Sequence, residues 1–140
     1  MKKTLALIVA LISIFSLASF DISSAKAASV QPRWNNTNST TIVLGISDSG
    51  KATIAIDCMG ISNKATKIVA KTKLERKWGL LWLDVDGAEW TDTTTKSYLS
   101  LSHSIQVSKK GTYRATTTFT VSGSGGANDS IKMQSKYVYE

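Results

Sequence analysis

The chain has 140 residues, with 17 Lys and Arg, 10 Asp and Glu, one His and one Cys, for a net charge of +7. One Cys excludes an internal disulfide framework, and one Cys with one His excludes the usual structural zinc clusters and gives thin support to a Cys-His or Ser-His-Asp site. With 42% apolar and 19% charged residues, the composition is that of a single globular domain and not of a disordered chain.

The first segment reads as an address. Lys2 and Lys3 precede an apolar run from Leu5 to Phe20, and a short polar stretch ends in Ala25-Lys26-Ala27. This is the order of a charged region, an apolar helical region and a small-x-small cleavage site in a signal peptide. The run falls short of the roughly 20 residues that span a bilayer, and no Cys stands at the cut to carry a lipid. Residues 1–27 are therefore expected to be a signal-peptide helix, cleaved after Ala27, and the product to be secreted. Its charge would be 14 − 9 = +5, because Lys2, Lys3, Lys26 and Asp21 leave with the leader. Residues 28–36, with the chain's one Pro, are expected to be a flexible segment before a domain over 37–140.

From there the apolar residues recur at every second position, the period of half-buried strands. Ile42, Leu44 and Ile46 share a face, and Ser47-Asp48-Ser49-Gly50 turns the chain. Ala52, Ile54, Ile56 and Cys58 form the next row, broken by Gly60–Asn63. Cys58 is expected to be a small buried thiol, with pairing to another molecule as the alternative. Ile68, Ala70, Thr72 and Leu74 follow, with Lys67, Lys71, Lys73 and Glu75 turned outward. Arg76–Gly79 marks a connection, and Leu81–Trp90 is an extended segment bent at Asp86-Gly87. Leu99, Leu101, His103, Ile105 and Val107 make a long row, and Ser108–Gly111 a turn. Tyr113, Ala115, Thr117, Phe119 and Val121 come next. A Gly- and Ser-rich loop, expected to be flexible, spans Ser122–Asp129, and Ile131 to Tyr139 close the domain. About seven strands at this spacing, with no amphipathic helix between them, predict an all-β antiparallel sandwich. Pro32 precedes the first strand and interrupts no ladder.

Gly111-Thr112-Tyr113-Arg114-Ala115 resembles the Gly-x-Tyr-x-Cys entry to strand F of immunoglobulin-like domains. The resemblance implies an immunoglobulin-like sandwich in which the Tyr113 hydroxyl bonds back to the corner that precedes it. Cys58 stands near the first Cys of that pattern, but Ala115 replaces the second, so no inter-sheet disulfide forms. The segment Ala65–Glu75 also lacks the strand-C Trp. The mature chain further resembles a group of small exported proteins of Gram-positive bacteria. These share a Trp near the start (Trp34), the Gly-Thr-Tyr-Arg turn and a Tyr-rich last strand. That likeness implies a fold and a location, and no activity.

Few residues suggest chemistry. Asp84-x-Asp86-Gly87-x-Glu89 is only part of a calcium loop, with Ala88 at the fifth position and Gly one place early, so Asp86-Gly87 is read as a tight hairpin turn. His103 lies in an apolar row and is read as a hydrogen-bonded core or edge residue. No nucleophile motif is present, no catalytic residue is assigned, and no metal or cofactor is expected. The basic residues are patterned: Lys67, Lys71 and Lys73 line one strand, Arg76 and Lys77 extend them, and Trp78 is the Trp expected to be exposed. These six form the candidate binding patch. Further cations, Lys109, Lys110 and Arg114, flank another turn, and Lys132 and Lys136 mark the last strand. The expected function is that of a secreted, non-catalytic binding or adhesion module for an anionic cell-wall polymer, a membrane surface or a protein partner. The alternative is a bacteriocin-like, membrane-active antagonist, suggested by the positive charge and four Trp. No nucleic-acid fold motif is visible, and nucleic acid is not an expected partner.

Overall fold

Seven strands follow one another with no helix between them in the computed structural model, which describes residues 33–140. They are β1 (Thr37–Ile46), β2 (Lys51–Gly60), β3 (Ala65–Trp78), β4 (Leu81–Thr94), β5 (Tyr98–Gln106), β6 (Gly111–Gly123) and β7 (Asp129–Tyr139). The expected leader, its cleavage site and residues 28–32 lie outside the described residues. All pairings are antiparallel, in a three-stranded sheet β1-β2-β5 and a four-stranded sheet β4-β3-β6-β7. The fourth strand pairs with the third. In a constant-type immunoglobulin domain it joins the other sheet.

The alternation of the sequence becomes the core. Ile54, Ile56, Ile68, Leu74, Phe119 and Val121 are fully buried between the sheets, with Ile42, Leu44, Ile46, Leu99 and Ile131 around them. Alternate side chains of a strand point to opposite faces, so one face of each sheet is dry and the other faces solvent. Between Ala65 and Glu75 the inner face of β3 carries no aromatic residue. Thr72 stands there instead, and its hydroxyl bonds that of Thr117 on β6 at 2.8 Å, so neither buried hydroxyl is orphaned. Cys58 is buried, and burial pushes its thiol up to about 11.

The corner before β6 is built as the immunoglobulin-like resemblance implies. The Tyr113 hydroxyl donates to the Lys109 carbonyl at 2.6 Å, and burial raises its ionisation above the usual tyrosine value. Both lateral openings of the sandwich are closed by side chains. On the β1/β7 side the Leu44 N–H donates to Ser135 Oγ at 3.0 Å. On the β4/β5 side Trp90 stacks on His103, with centroids 4.7 Å apart and planes within 6°, and His103 Nε2 meets Asp92 Oδ2 at 2.7 Å.

Four local readings need correction. Asp86-Gly87 is no hairpin turn. The β3–β4 register passes from Lys73↔Glu89 to Glu75↔Asp84, so Val85–Ala88 bulge out opposite Leu74. The bulge carries Val85 and Ala88 into the core edge, a gain in burial that a tight turn at this place would forgo. The second correction concerns Arg76–Trp78, which continue β3. The turn is the two-residue Gly79-Leu80, with Gly79 at φ 61° and Leu80 at negative φ, the pattern of a Gly-first hairpin turn.

The third concerns Glu75, which shares the outward face yet is buried, because Arg114 and Lys73 close over it. The last concerns the Gly-rich loop and Asn35-Asn36, assigned above to flexible segments and in fact fastened to each other. Asp129 accepts from Asn35 N (2.8 Å), Asn36 N (2.7 Å) and Thr37 Oγ1 (2.8 Å), and both Asn side chains donate to the Ala127 carbonyl. A Cβ on Gly125 would stand 2.0 Å from the Asn35 carbonyl oxygen, so that glycine serves close approach and not mobility.

Candidate functional site

The outward face of the four-stranded sheet gathers the cations. Lys67, Lys71, Lys73 and Lys77 alternate along β3 with the buried row, so all four point away from the core. Pairing then sets β6 and β7 residues beside them. Lys71 lies level with Thr118 and Lys132, Lys73 with Thr116 and Gln134, and Glu75 with Arg114 and Lys136. A groove of about 570 Å³ runs over this face, lined by Lys71, Lys73, Arg114, Thr116, Thr118 and Lys132, with Glu89 on its β4 side.

The face holds seven cations (Lys67, Lys71, Lys73, Lys77, Arg114, Lys132, Lys136) and three acids (Glu75, Asp84, Glu89), or 7 − 3 = +4. All described residues together carry 14 − 9 = +5, so nearly the whole excess lies on one face. Two of the three acids are occupied. Glu75 Oε2 accepts from Arg114 Nη2 at 2.7 Å and Nε at 3.0 Å, and its Oε1 meets Lys73 Nζ at 3.1 Å. Burial opposes ionisation of Glu75, but these charged donors outweigh it and hold the carboxyl below the usual glutamate range. Hydrogen bonds to Glu75 and Asp84 in turn raise the Lys73 ammonium above the usual lysine value. Arg114 also lies 4.2 Å from the Trp82 ring centroid and Lys136 lies 5.8 Å from it. Trp82 thus covers the end of the face as a platform for cations.

Of the six residues of the candidate patch, four Lys share this face. Arg76 and Trp78 do not: each sits at the opposite parity of β3. Arg76 turns toward the end of the sandwich, where Nη1 donates to the Lys110 carbonyl at 3.3 Å. Trp78 is 62% exposed at the hairpin end, paired with Leu81. The cations of β6 and β7 belong to the face although they lie roughly 40 to 60 residues further along the chain. The signal for them is the outward parity of Arg114, Lys132 and Lys136, which becomes usable only when β6 is known to pair with β3.

His103 is committed to Trp90 and Asp92, and Asp84 to Lys73. No group of three or more His, Cys, Asp or Glu converges among the described residues. No helix among them is long and apolar enough to cross a membrane.

No protein-family model matches this chain, and no curated protein matches it. Among solved structures, a β-glucosidase from Listeria innocua in complex with gluconolactone is similar over 71% of this chain and 15% of that one, at 14% identity and a TM-score of 0.37. At that score and identity the likeness carries no argument about function.

Proposed function

We propose that the protein is exported from a Gram-positive cell and serves as a non-catalytic binding module for an anionic cell-wall polymer, held against the outer face of the four-stranded sheet. One observation supports this above the others: +4 of the +5 charges of the described residues lie on that face, around a groove with hydroxyl and amide linings. A sheet face that presents Lys67, Lys71, Lys73 and Lys77 along β3, and Arg114, Lys132 and Lys136 on two neighbouring strands, matches the repeated phosphodiesters of an extended polyanion. Thr116, Thr118 and Gln134 between the cations add neutral hydrogen-bonding groups for the polymer's hydroxyls. The binding would be electrostatic and screened within about 10 Å at 0.1 M salt. A non-catalytic role is supported by the contacts that already occupy the acid and base side chains: Arg114 and Lys73 close over Glu75, Asn35, Asn36 and Thr37 bond Asp129, and His103 is stacked on Trp90 and bonded to Asp92.

The test is co-sedimentation with purified cell walls that carry their anionic polymer and with walls from which it has been extracted. Wild type is expected to sediment with the first at low salt and to be released by 0.5 M NaCl. Lys71→Glu with Lys132→Glu, both exposed, is expected to weaken binding at least tenfold. Salt-independent binding, equal binding to extracted walls, or no effect of the double substitution would each overturn the proposal.

A further inference from the structure

The β3–β4 hairpin parts from β6 near its end, where β6 runs on to Gly111 paired only with β7. Pairing of β3 with β6 ends at Arg76↔Tyr113, whereas pairing with β4 continues to Trp78↔Leu81. At about 3.3 Å per residue the apex stands roughly 10 Å beyond Arg76. Along this projection the inward parity of the strands continues, but the core does not. Trp78, Leu81 and Leu83 stand on that face and are 62%, 59% and 45% exposed, and Leu80 at the turn is 96% exposed. Nothing about folding asks for Leu at the second position of a Gly-first hairpin turn, where Asn, Asp, Ser or Gly is usual. Four neighbouring apolar side chains at one tip mark a docking surface and not scattered exposure.

Charge decides what it docks on. The segment Lys77–Leu83 holds one cation and no acid. At its base lie Arg76, Lys109 and Lys110, against Asp86 and an Asp84 already paired with Lys73. A second copy of the chain would bring the same cations against their own kind, and four side chains fall well short of the roughly 20–30 residues a side of a stable interface. An anionic bilayer satisfies both features, with apolar side chains in the acyl boundary and cations at the lipid phosphates. Interfacial elements sit about 5–10 Å deep, which the length of the projection matches, and Trp favours that depth.

We propose that the Trp78–Leu83 hairpin tip docks the protein on anionic membranes, entering the bilayer interface with Leu80 foremost. This site adjoins the polymer-binding face at Lys77 and Trp82, while its apolar side chains Trp78, Leu80, Leu81 and Leu83 are not part of that face.

The experiment measures partition onto phosphatidylglycerol vesicles and onto phosphatidylcholine vesicles, for the chain with and without residues 1–27. It compares wild type with Leu80→Ser plus Leu81→Ser in each background, so the difference isolates the tip. Burial of two Leu side chains is expected to be worth tenfold or more in partition, roughly. Wild type is expected to bind phosphatidylglycerol and not phosphatidylcholine, and its Trp fluorescence to be quenched by lipids brominated near the headgroup. The variant is expected to lose both signals while it keeps wild-type wall binding. Equal partition of wild type and variant, no binding of wild type to phosphatidylglycerol, or a dimer in sedimentation equilibrium that the variant abolishes would overturn the proposal. Lys71→Glu with Lys132→Glu reports on the polymer separately, so failure of one reading is distinguishable from failure of the other.

Discussion

Asp129 offers the sharpest test of how the domain is closed. Its carboxylate is 6% exposed and accepts three hydrogen bonds of 2.7 to 2.8 Å, from two backbone N–H groups and the Thr37 hydroxyl. Bonds to a charged acceptor contribute about 1.5–3 kcal/mol each, and the cost of desolvating the carboxylate cancels part of the sum. Asp129→Asn keeps the shape and one acceptor oxygen but turns an amide donor toward N–H groups that are themselves donors. We expect a loss of about 3 kcal/mol at pH 7, which for a domain of this size lowers Tm by about 12 °C. Burial raises the Asp129 pKa, but the bonds from Asn35, Asn36 and Thr37 outweigh it, so the folded value lies below the ordinary aspartate value. The stability it contributes is therefore complete above the unfolded pKa of about 3.9 and is lost as pH falls through the lower folded value. Urea denaturation of wild type and variant from pH 7 to pH 2 checks both statements. The gap between them should narrow below about pH 4, while Glu75, also held low, keeps some acid sensitivity in the variant. A gap under 1 kcal/mol at pH 7, or parallel pH profiles, would refute the reasoning.

Two further outcomes follow from the core. Tyr113→Phe removes only the hydroxyl that holds the Lys109 carbonyl, and should cost about 1–1.5 kcal/mol in chemical denaturation with the sandwich intact by circular dichroism. Cys58, buried and with its ionisation pushed up to about 11, should resist a thiol reagent at pH 8 in the folded protein and react at once in denaturant.

His103 has a structural role at the open side of the sandwich. A two-sheet sandwich exposes its core along both lateral openings unless side chains close them. On the β4/β5 side that work falls to a flat stack of Trp90 on His103, anchored by Asp92. The three residues are brought together by pairing partners on different sheets, and no spacing in the sequence announces it.

What the sequence by itself determined is the face of each strand. Rows such as Ala52-Ile54-Ile56-Cys58 and Tyr113-Ala115-Thr117-Phe119 are buried because a strand turns every second side chain the same way, a rule that needs no knowledge of neighbours. The Gly111–Ala115 corner was legible for a similar reason: Tyr113 reaches back only four residues to Lys109, so the motif is local. Only the tertiary structure decided what lies across from what. The bulge at Val85–Ala88 exists because burial of Val85 and Ala88 at the core edge outweighs an unbroken ladder. Glu75 reads as a solvated charge until Arg114, 39 residues away, closes on it. Asn35 and Asn36 read as tail until Asp129, over 90 residues on, supplies a carboxylate for their N–H groups. The parity that splits Arg76 and Trp78 from the lysines was present in the spacing. That Trp78, Leu81 and Leu83 keep the inward parity yet meet no core was not, because β6 stops pairing at Arg76 and a strand's own pattern carries no record of where its neighbour ends.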